Sequence, residues 1–180
     1  MELKLELCTG ADLEALEQLY LTAFPSDERA PYRMLKKRHN KGKAEFLAAK
    51  DGDEIVGMVY MVCNDELAYI FYLAIMENKR AMGYGTKVLS LLKQRYKGKK
   101  LFLARERLDE PCDNLEQRKS RRGFYISNGF SDQSGHIKEG KVTYDIMYIG
   151  EPVTADEYDT LIAGWAGWLI KTFIGLKIVD

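Results

Sequence analysis

The chain has 180 residues, 46% hydrophobic and 30% charged, with acidic and basic residues in equal number. That length supports one domain with its own core and no need of metal or disulfide staples. Zero net charge argues against a general nucleic-acid binder, and no run of 18 apolar residues is present to span a membrane.

Cys8, Cys63 and Cys112 are far apart and share no metal-ligand spacing with His39 or His136, so a reducing compartment and no bound metal are expected. The N-terminus lacks the apolar core of a signal peptide, and the expected location is the cytoplasm.

Residues 2–8 alternate charge and apolar side chains as a strand does. Thr9, with Asp12 three residues on, reads as the cap of an amphipathic helix carrying Leu13, Leu16, Leu19, Tyr20 and Phe24, stopped by Pro25. A polar connection to Tyr32 leads into a second, basic helix ending near Asn40. Two strands, 44–50 and 54–63, flank the hairpin signal Asp51-Gly52-Asp53, and a third covers 67–75. A helix is predicted over 83–97, a strand over 100–104 and a loop over 105–113. Asn114 and Gln117 suggest a capped helix to about Asn128, closed by Gly129. Strands 130–137 and 142–149 form the last predicted pair.

The element order is β-α-α-β-β-β-α-β-α-β-β, a mixed α/β sheet assigned to residues 1–150. Residues 151–180 are set apart as a helical extension. It opens on the capping box Thr154-Ala-Asp-Glu157, with a possible Val153–Tyr158 staple, and carries the stripe Tyr158, Leu161, Ile162, Trp165, Trp168 and Leu169. That stripe is expected to pack on the same domain or on a second subunit of a homodimer. Its polar side is acidic, which disfavours a membrane surface.

Arg80-Ala-Met-Gly83-Tyr-Gly85 carries the most chemistry. It follows the buried-type strand 68–75 and opens a helix, where unpaired N–H groups and the positive dipole end suit a phosphate. Glycines let a ligand approach the backbone, and Arg80 adds a fixed charge. No Lys-Ser/Thr follows, so this is not a Walker loop. Val88 stands where a dinucleotide fingerprint needs its third glycine.

Two segments together resemble the GNAT superfamily of acyl-CoA-dependent N-acyltransferases. They are Leu73-Ala-Ile75 followed after four residues by Arg80-x-x-Gly83-x-Gly85, and Phe124-Tyr-Ile-Ser-Asn-Gly-Phe130. The resemblance covers about residues 1–149 and implies that fold with acetyl-CoA as co-substrate. It implies that the backbone of Leu73 and Ile75 binds the pantetheine arm. It implies further that Gly83, Tyr84, Gly85 and Thr86 cradle the pyrophosphate beside Arg80. Tyr125 stands where the family often places the general acid for the departing thiolate, and the loop 24–32 where members often contact the acceptor. The function implied is direct acetyl transfer to a primary amine, in a small molecule or a peptide.

Two departures bear on that role. Arg118 occupies the position, seven before the tyrosine, where many members have Asn. Arg118, Arg121 and Arg122 are read either as phosphate contacts or as a solvated basic face. No carboxylate stands among Tyr69, Ile70, Phe71 and Tyr72 to serve as base. Glu106 is the candidate general base, with Asp109 and Glu110 behind it, and an ordinary loop carboxylate is the equal alternative. Tyr69, Phe71 and Tyr72 are read as acceptor-pocket or core residues, at least one of them core. The missing strand carboxylate keeps a second function open, a catalytically silent CoA-binding sensor or interaction module.

Overall fold

The computed structural model describes residues 2–26, 28–109, 112–139, 142–167 and 177–179. It has the mixed α/β architecture expected and the predicted element order. The chain divides into two compact units, residues 1–63 with 70–97, and residues 64–69 with 98–180.

The first unit contains strands β1 (Leu3–Leu7), β2 (Glu45–Asp51) and β3 (Glu54–Cys63), and most of β4 (Leu67–Ile75). Its helices are α1 (Gly10–Ala23), α2 (Tyr32–Asn40) and α3 (Tyr84–Arg95). These strands neighbour one another in chain order. β1 runs antiparallel to β2 from Leu3↔Asp51 to Leu7↔Leu47, and the β2–β3 hairpin closes at Asp51↔Glu54 with a bulge at Ala49/Lys50. Thr9 caps α1 as predicted: its Oγ1 accepts from the Asp12 N–H, and the Asp12 carboxylate accepts from the Thr9 N–H at 2.8 Å. Leu16, Tyr20, Leu35, Phe46, Tyr60, Val88 and Leu92 are buried in this unit. Tyr20 and Tyr32 bury their rings yet satisfy their hydroxyls on backbone carbonyls, of Ala30 and Leu13 respectively.

In the second unit lie β5 (Lys100–Glu106), β6 (Ser131–Glu139), β7 (Val142–Ile149) and β8 (Lys177–Val179), in the spatial order β5-β7-β6-β8. With them are α4 (Leu115–Ser127) and α5 (Ala155–Ala166). β7 pairs antiparallel with both β5 and β6, and β8 pairs with β6 from His136↔Val179 to Lys138↔Lys177. Tyr69 stacks flat on Phe102 with centroids 4.5 Å apart, and Tyr158 of α5 meets both rings edge-on. Lys100 fixes the start of α5 through Glu157 at 2.7 Å. Trp165 is buried there as well.

Three local expectations change. β5 runs on to Glu106, because Arg105 pairs with Asp145 and Glu106 with Tyr144 on β7. The Asn114 side chain does not cap α4; it accepts from Arg118 Nε at 2.8 Å instead, so a charged donor one turn along the same helix outcompetes the backbone N–H. The extension predicted as helical over 151–180 is helical at Ala155–Ala166 and strand at Lys177–Val179, while Trp168 and Leu169 lie outside the described residues. The capping box of Thr154 and Glu157 forms as predicted.

Asp12 does two jobs, capping α1 and meeting Lys50 Nζ at 2.9 Å. The Lys50 ammonium, then the Thr9 amide, hold its carboxyl below the usual carboxylate range. A depressed folded-state value means that the unfolded chain takes up the proton first. The stabilisation is therefore complete above the ordinary value near ~3.9 and is lost as pH falls through the lower folded one. Asp12→Ala is expected to cost about 1–2 kcal/mol at pH 7. Urea unfolding at pH 7 and pH 3 checks this, with the gap between variant and parent narrowing in acid.

Candidate functional site

In the first unit, the turn from β4 to α3 is built to leave a helix end open. Met76 N–H bonds to Val56 C=O at 2.9 Å, a single 3₁₀ turn spans Glu77–Lys79, and Arg80 N–H returns to Glu77 C=O. Ala81 then takes a left-handed backbone (φ 59°), as does Gly83 (φ 80°), which caps α3 without any side chain. The first bond within α3 is Lys87 N–H to Gly83 C=O at 3.2 Å. The amides of Tyr84, Gly85 and Thr86 therefore precede the hydrogen-bonded ladder, at the positive end of the helix dipole.

Gly83 is exposed, and a Cβ added there would meet nothing within 4 Å, so the approach to those amides is open. Arg80 is exposed beside them and its Nε donates to the Ile75 carbonyl at 3.3 Å. Leu73 and Ile75 sit half-buried near the end of β4, with Ala74 buried between them. The seven residues expected to hold the cofactor thus share one strand-turn-helix unit. These features fit a pyrophosphate with an extended arm. The Tyr84 side chain acts elsewhere, because its hydroxyl donates to Asp51 Oδ2 at 2.8 Å and ties the start of α3 to the end of β2.

Tyr125 and Glu106 belong to the second unit. Tyr125 is 8% exposed, with its ring 5.3 Å from that of Phe124 and 5.6 Å from that of Phe130. Gly129, at φ 88°, reverses the chain after α4 so that the Phe130 N–H reaches the Tyr125 carbonyl at 3.1 Å. Burial pushes the phenol above its ordinary value, and Arg121 opposes that rise. The group is therefore a protonated donor throughout the neutral range.

Glu106 is buried at 7% exposure, and its carboxylate is fully engaged. Arg121 Nη1 donates to its Oε2, Arg118 Nε stands 3.7 Å from its Oε1, and Asn114 Nδ2 lies 3.5 Å from the same oxygen. Arg118 also donates to the Arg107 carbonyl at 2.7 Å. Arg118 is thus part of a buried network rather than a solvated face. Arg122 binds Asp132 at 3.0 Å, and Arg105 bridges Asp132 and Asp145 at 3.1 and 2.8 Å. Against its own desolvation, Asp132 is held below the usual carboxylate range by Arg122 and Arg105.

Sequence reasoning did not single out Gly57. Its position on β3 lies so close to β4 that a Cβ would stand 2.6 Å from the Ala74 carbonyl and 2.8 Å from Ile75 Cδ1. An isolated glycine inside a strand pattern is the signal that could have found it. Of the three aromatics on β4, Tyr69 is core, Phe71 is half-buried, and Tyr72 holds the loop before α2 through Glu28 C=O and Ala30 N–H. His136 lies on β6 with Nδ1 3.1 Å from Asp145, and Glu110 lies outside the described residues. An open basic groove of about 460 Å³ between α1 and α2, lined by Arg33, Lys37 and Lys41 among others, includes none of the predicted site residues. Among the described residues, no group of three or more His, Cys, Asp or Glu could hold a metal ion. None of their helices is long and apolar enough to cross a membrane.

Residues 13–118 match the sequence profile of the Acetyltransferase (GNAT) family. No match to the curated proteins was found by sequence. Among solved structures, the chain is similar to a putative acetyltransferase of the GNAT family from Bacteroides thetaiotaomicron. The identity is 22%, the TM-score 0.75, and the match covers 93% of this chain and 98% of that one. An aminoglycoside 6'-N-acetyltransferase complexed with coenzyme A matches at 15% identity and TM-score 0.63, over 83% of this chain and 99% of that one. A spermidine N-acetyltransferase chimera from Vibrio cholerae and hSSAT matches at 16% identity and TM-score 0.60, over 83% and 95%. At these identities the likeness is one of fold.

Gly57→Ala is expected to force β3 and β4 apart where Ala74 and Ile75 lie, at a cost of about 1–3 kcal/mol. For a chain of this size that is a fall in Tm of roughly 2–4 °C per kcal/mol, read by thermal unfolding.

Proposed function

Because the chain belongs to the GNAT family of acetyltransferases, we propose that it transfers an acetyl group from acetyl-CoA directly to a primary amine, with Tyr125 as general acid. The observation that carries this reading is the open N-terminus of α3, with Gly83 left-handed and Arg80 beside it. The amides of Tyr84, Gly85 and Thr86 would take pyrophosphate oxygens, and Arg80 would add a charge-assisted contact. The backbone of Leu73 and Ile75 would hold the pantetheine arm as an added strand. Relatives of the fold described as acting on spermidine and on aminoglycosides support an amine as acceptor.

The neutral amine attacks the thioester carbon, the new C–N bond forms, and the C–S bond breaks with its electron pair leaving on sulfur. Alignment and a nearby backbone N–H for the developing oxyanion are the main contributions needed from the protein. Tyr125 then gives its phenolic proton to the thiolate. Its raised value keeps that proton available at neutral pH. Glu106 is occupied by the guanidiniums of Arg121 and Arg118, so in this reading the proton of the amine leaves to water. That pairing also supports the second reading, a CoA-binding module without turnover, because it removes the candidate base.

Acetyl-CoA at 100 times its Kd is expected to stabilise the protein by roughly 2.7 kcal/mol. Arg80→Ala and Gly83→Asp should abolish the shift in a thermal unfolding assay. No shift at millimolar acetyl-CoA would sink both readings. Tyr125→Phe is expected to lower kcat by roughly 10²-fold or more, with the acetyl-CoA shift retained. A shift without thiol release in any amine screen would favour the silent module.

A further inference from the structure

Arg118, Arg121 and Tyr125 stand at i, i+3 and i+7 on α4, so they share one face of the helix. A helical side chain leans back over the preceding turn, which brings the Tyr125 ring toward Arg121 one turn earlier. Arg121 is half-exposed, and its Nη1 is held by donating to the buried Glu106 carboxylate. The other groups around this face are Arg118 on α4, Glu106 from β5 and Asn114 before α4, while Phe124 and Phe130 bring only apolar rings to the phenol.

We propose that Arg121, locked by Glu106, is a positioning residue whose charge stabilises the phenolate that Tyr125 becomes as it protonates the departing thiolate. This rests on the reading of Tyr125 as general acid. The balance of the step is simple. The O–H bond of Tyr125 breaks, the S–H bond of CoA forms, and the phenolate is reprotonated from water, which has already taken the proton of the amine. Burial alone makes a phenolate costly, and a fixed guanidinium offsets part of that cost. The electrostatic effect of Arg121 on the phenol has the sign this requires. The carboxylate of Glu106 serves by holding the guanidinium rather than by accepting a proton.

The test is thiol release from acetyl-CoA with spermidine and with kanamycin as probe amines. Arg121→Gln is expected to lower kcat about tenfold with KM for acetyl-CoA unchanged, and Arg121→Lys to restore most of it. In a Tyr125→Phe background the same Arg121→Gln change should cost nothing further, since the charge acts only through the phenol. The paired variant Arg121→Gln/Glu106→Gln removes both charges without orphaning the buried carboxylate, and should show the same loss with the fold intact. Additive losses in the Tyr125→Phe background would overturn the proposal, as would a raised KM for acetyl-CoA with kcat intact. Thiol release that survives Tyr125→Phe alone, or no release by the parent, removes instead the reading on which the proposal rests.

Discussion

A helix end whose first amides precede the hydrogen-bonded ladder sets the terms for the first unit. The N–H groups of Tyr84, Gly85 and Thr86 have no acceptor inside α3, and the backbone that leads to them is held by bonds of its own. β3 yields a side chain at Gly57 so that β4 can come close, Met76 anchors back to Val56, and the 3₁₀ turn satisfies Lys79 and Arg80. Ala81 then accepts a left-handed backbone, which for a residue with a Cβ costs about 1–2 kcal/mol. Strain of this kind persists where the surroundings over-determine it, and here Tyr84 does so by bonding Asp51 from the first turn of α3.

The second unit solves a different problem, that of charge buried at the end of a paired strand. Arg105 and Glu106 end β5 side by side in sequence and are drawn into opposite networks. Arg105 meets Asp132 and Asp145, while Glu106 meets Arg121 with Arg118 nearby. Removing one member of such a pair leaves a buried charge, which costs far more than the pair contributes. Two arginines of α4, Arg121 and Arg122, thereby clamp that helix at Glu106 and at Asp132. The register of α4 sets where Tyr125 stands. The charge pattern and the placement of the proposed acid are one structural fact.

This explains which parts were legible in the chain and which were not. Periodicity and punctuation located the elements, and both Thr capping boxes form because their partners sit three residues away. The glycine turn was equally local. Arg105 and Glu106 read as loop because nothing nearby shows that charged residues there will be buried. Their partners Asp145 and Arg121 are 40 and 15 positions along the chain. Asn114 differs, because its competitor is local: Arg118, one turn along, is a stronger, charge-assisted partner than the helix N–H groups. Glu106 and Arg121 were therefore singled out separately, one as a candidate base and the other as a phosphate contact or solvated residue, while their pairing was not legible.

The aromatics of β4 extend the argument to the loop that the family resemblance associates with the acceptor. Alternation puts Tyr69 and Phe71 on one face and Tyr72 on the other. Tyr69 is used up by stacking on Phe102, and Tyr72 has its hydroxyl in use, accepting from Ala30 N–H and donating to Glu28 C=O. Tyr20 takes the Ala30 carbonyl, so both backbone groups of Ala30 are held by phenols. Tyr72 immediately precedes Leu73 on the strand that would carry the pantetheine arm. The loop is thus tied through the Tyr72 hydroxyl to the element that would bind the donor. A phenylalanine at either position would keep the ring packing and remove that oxygen's bonds, leaving the loop with its anchors from Arg29 to the Leu21 carbonyl and from Glu28 N–H to the Pro25 carbonyl.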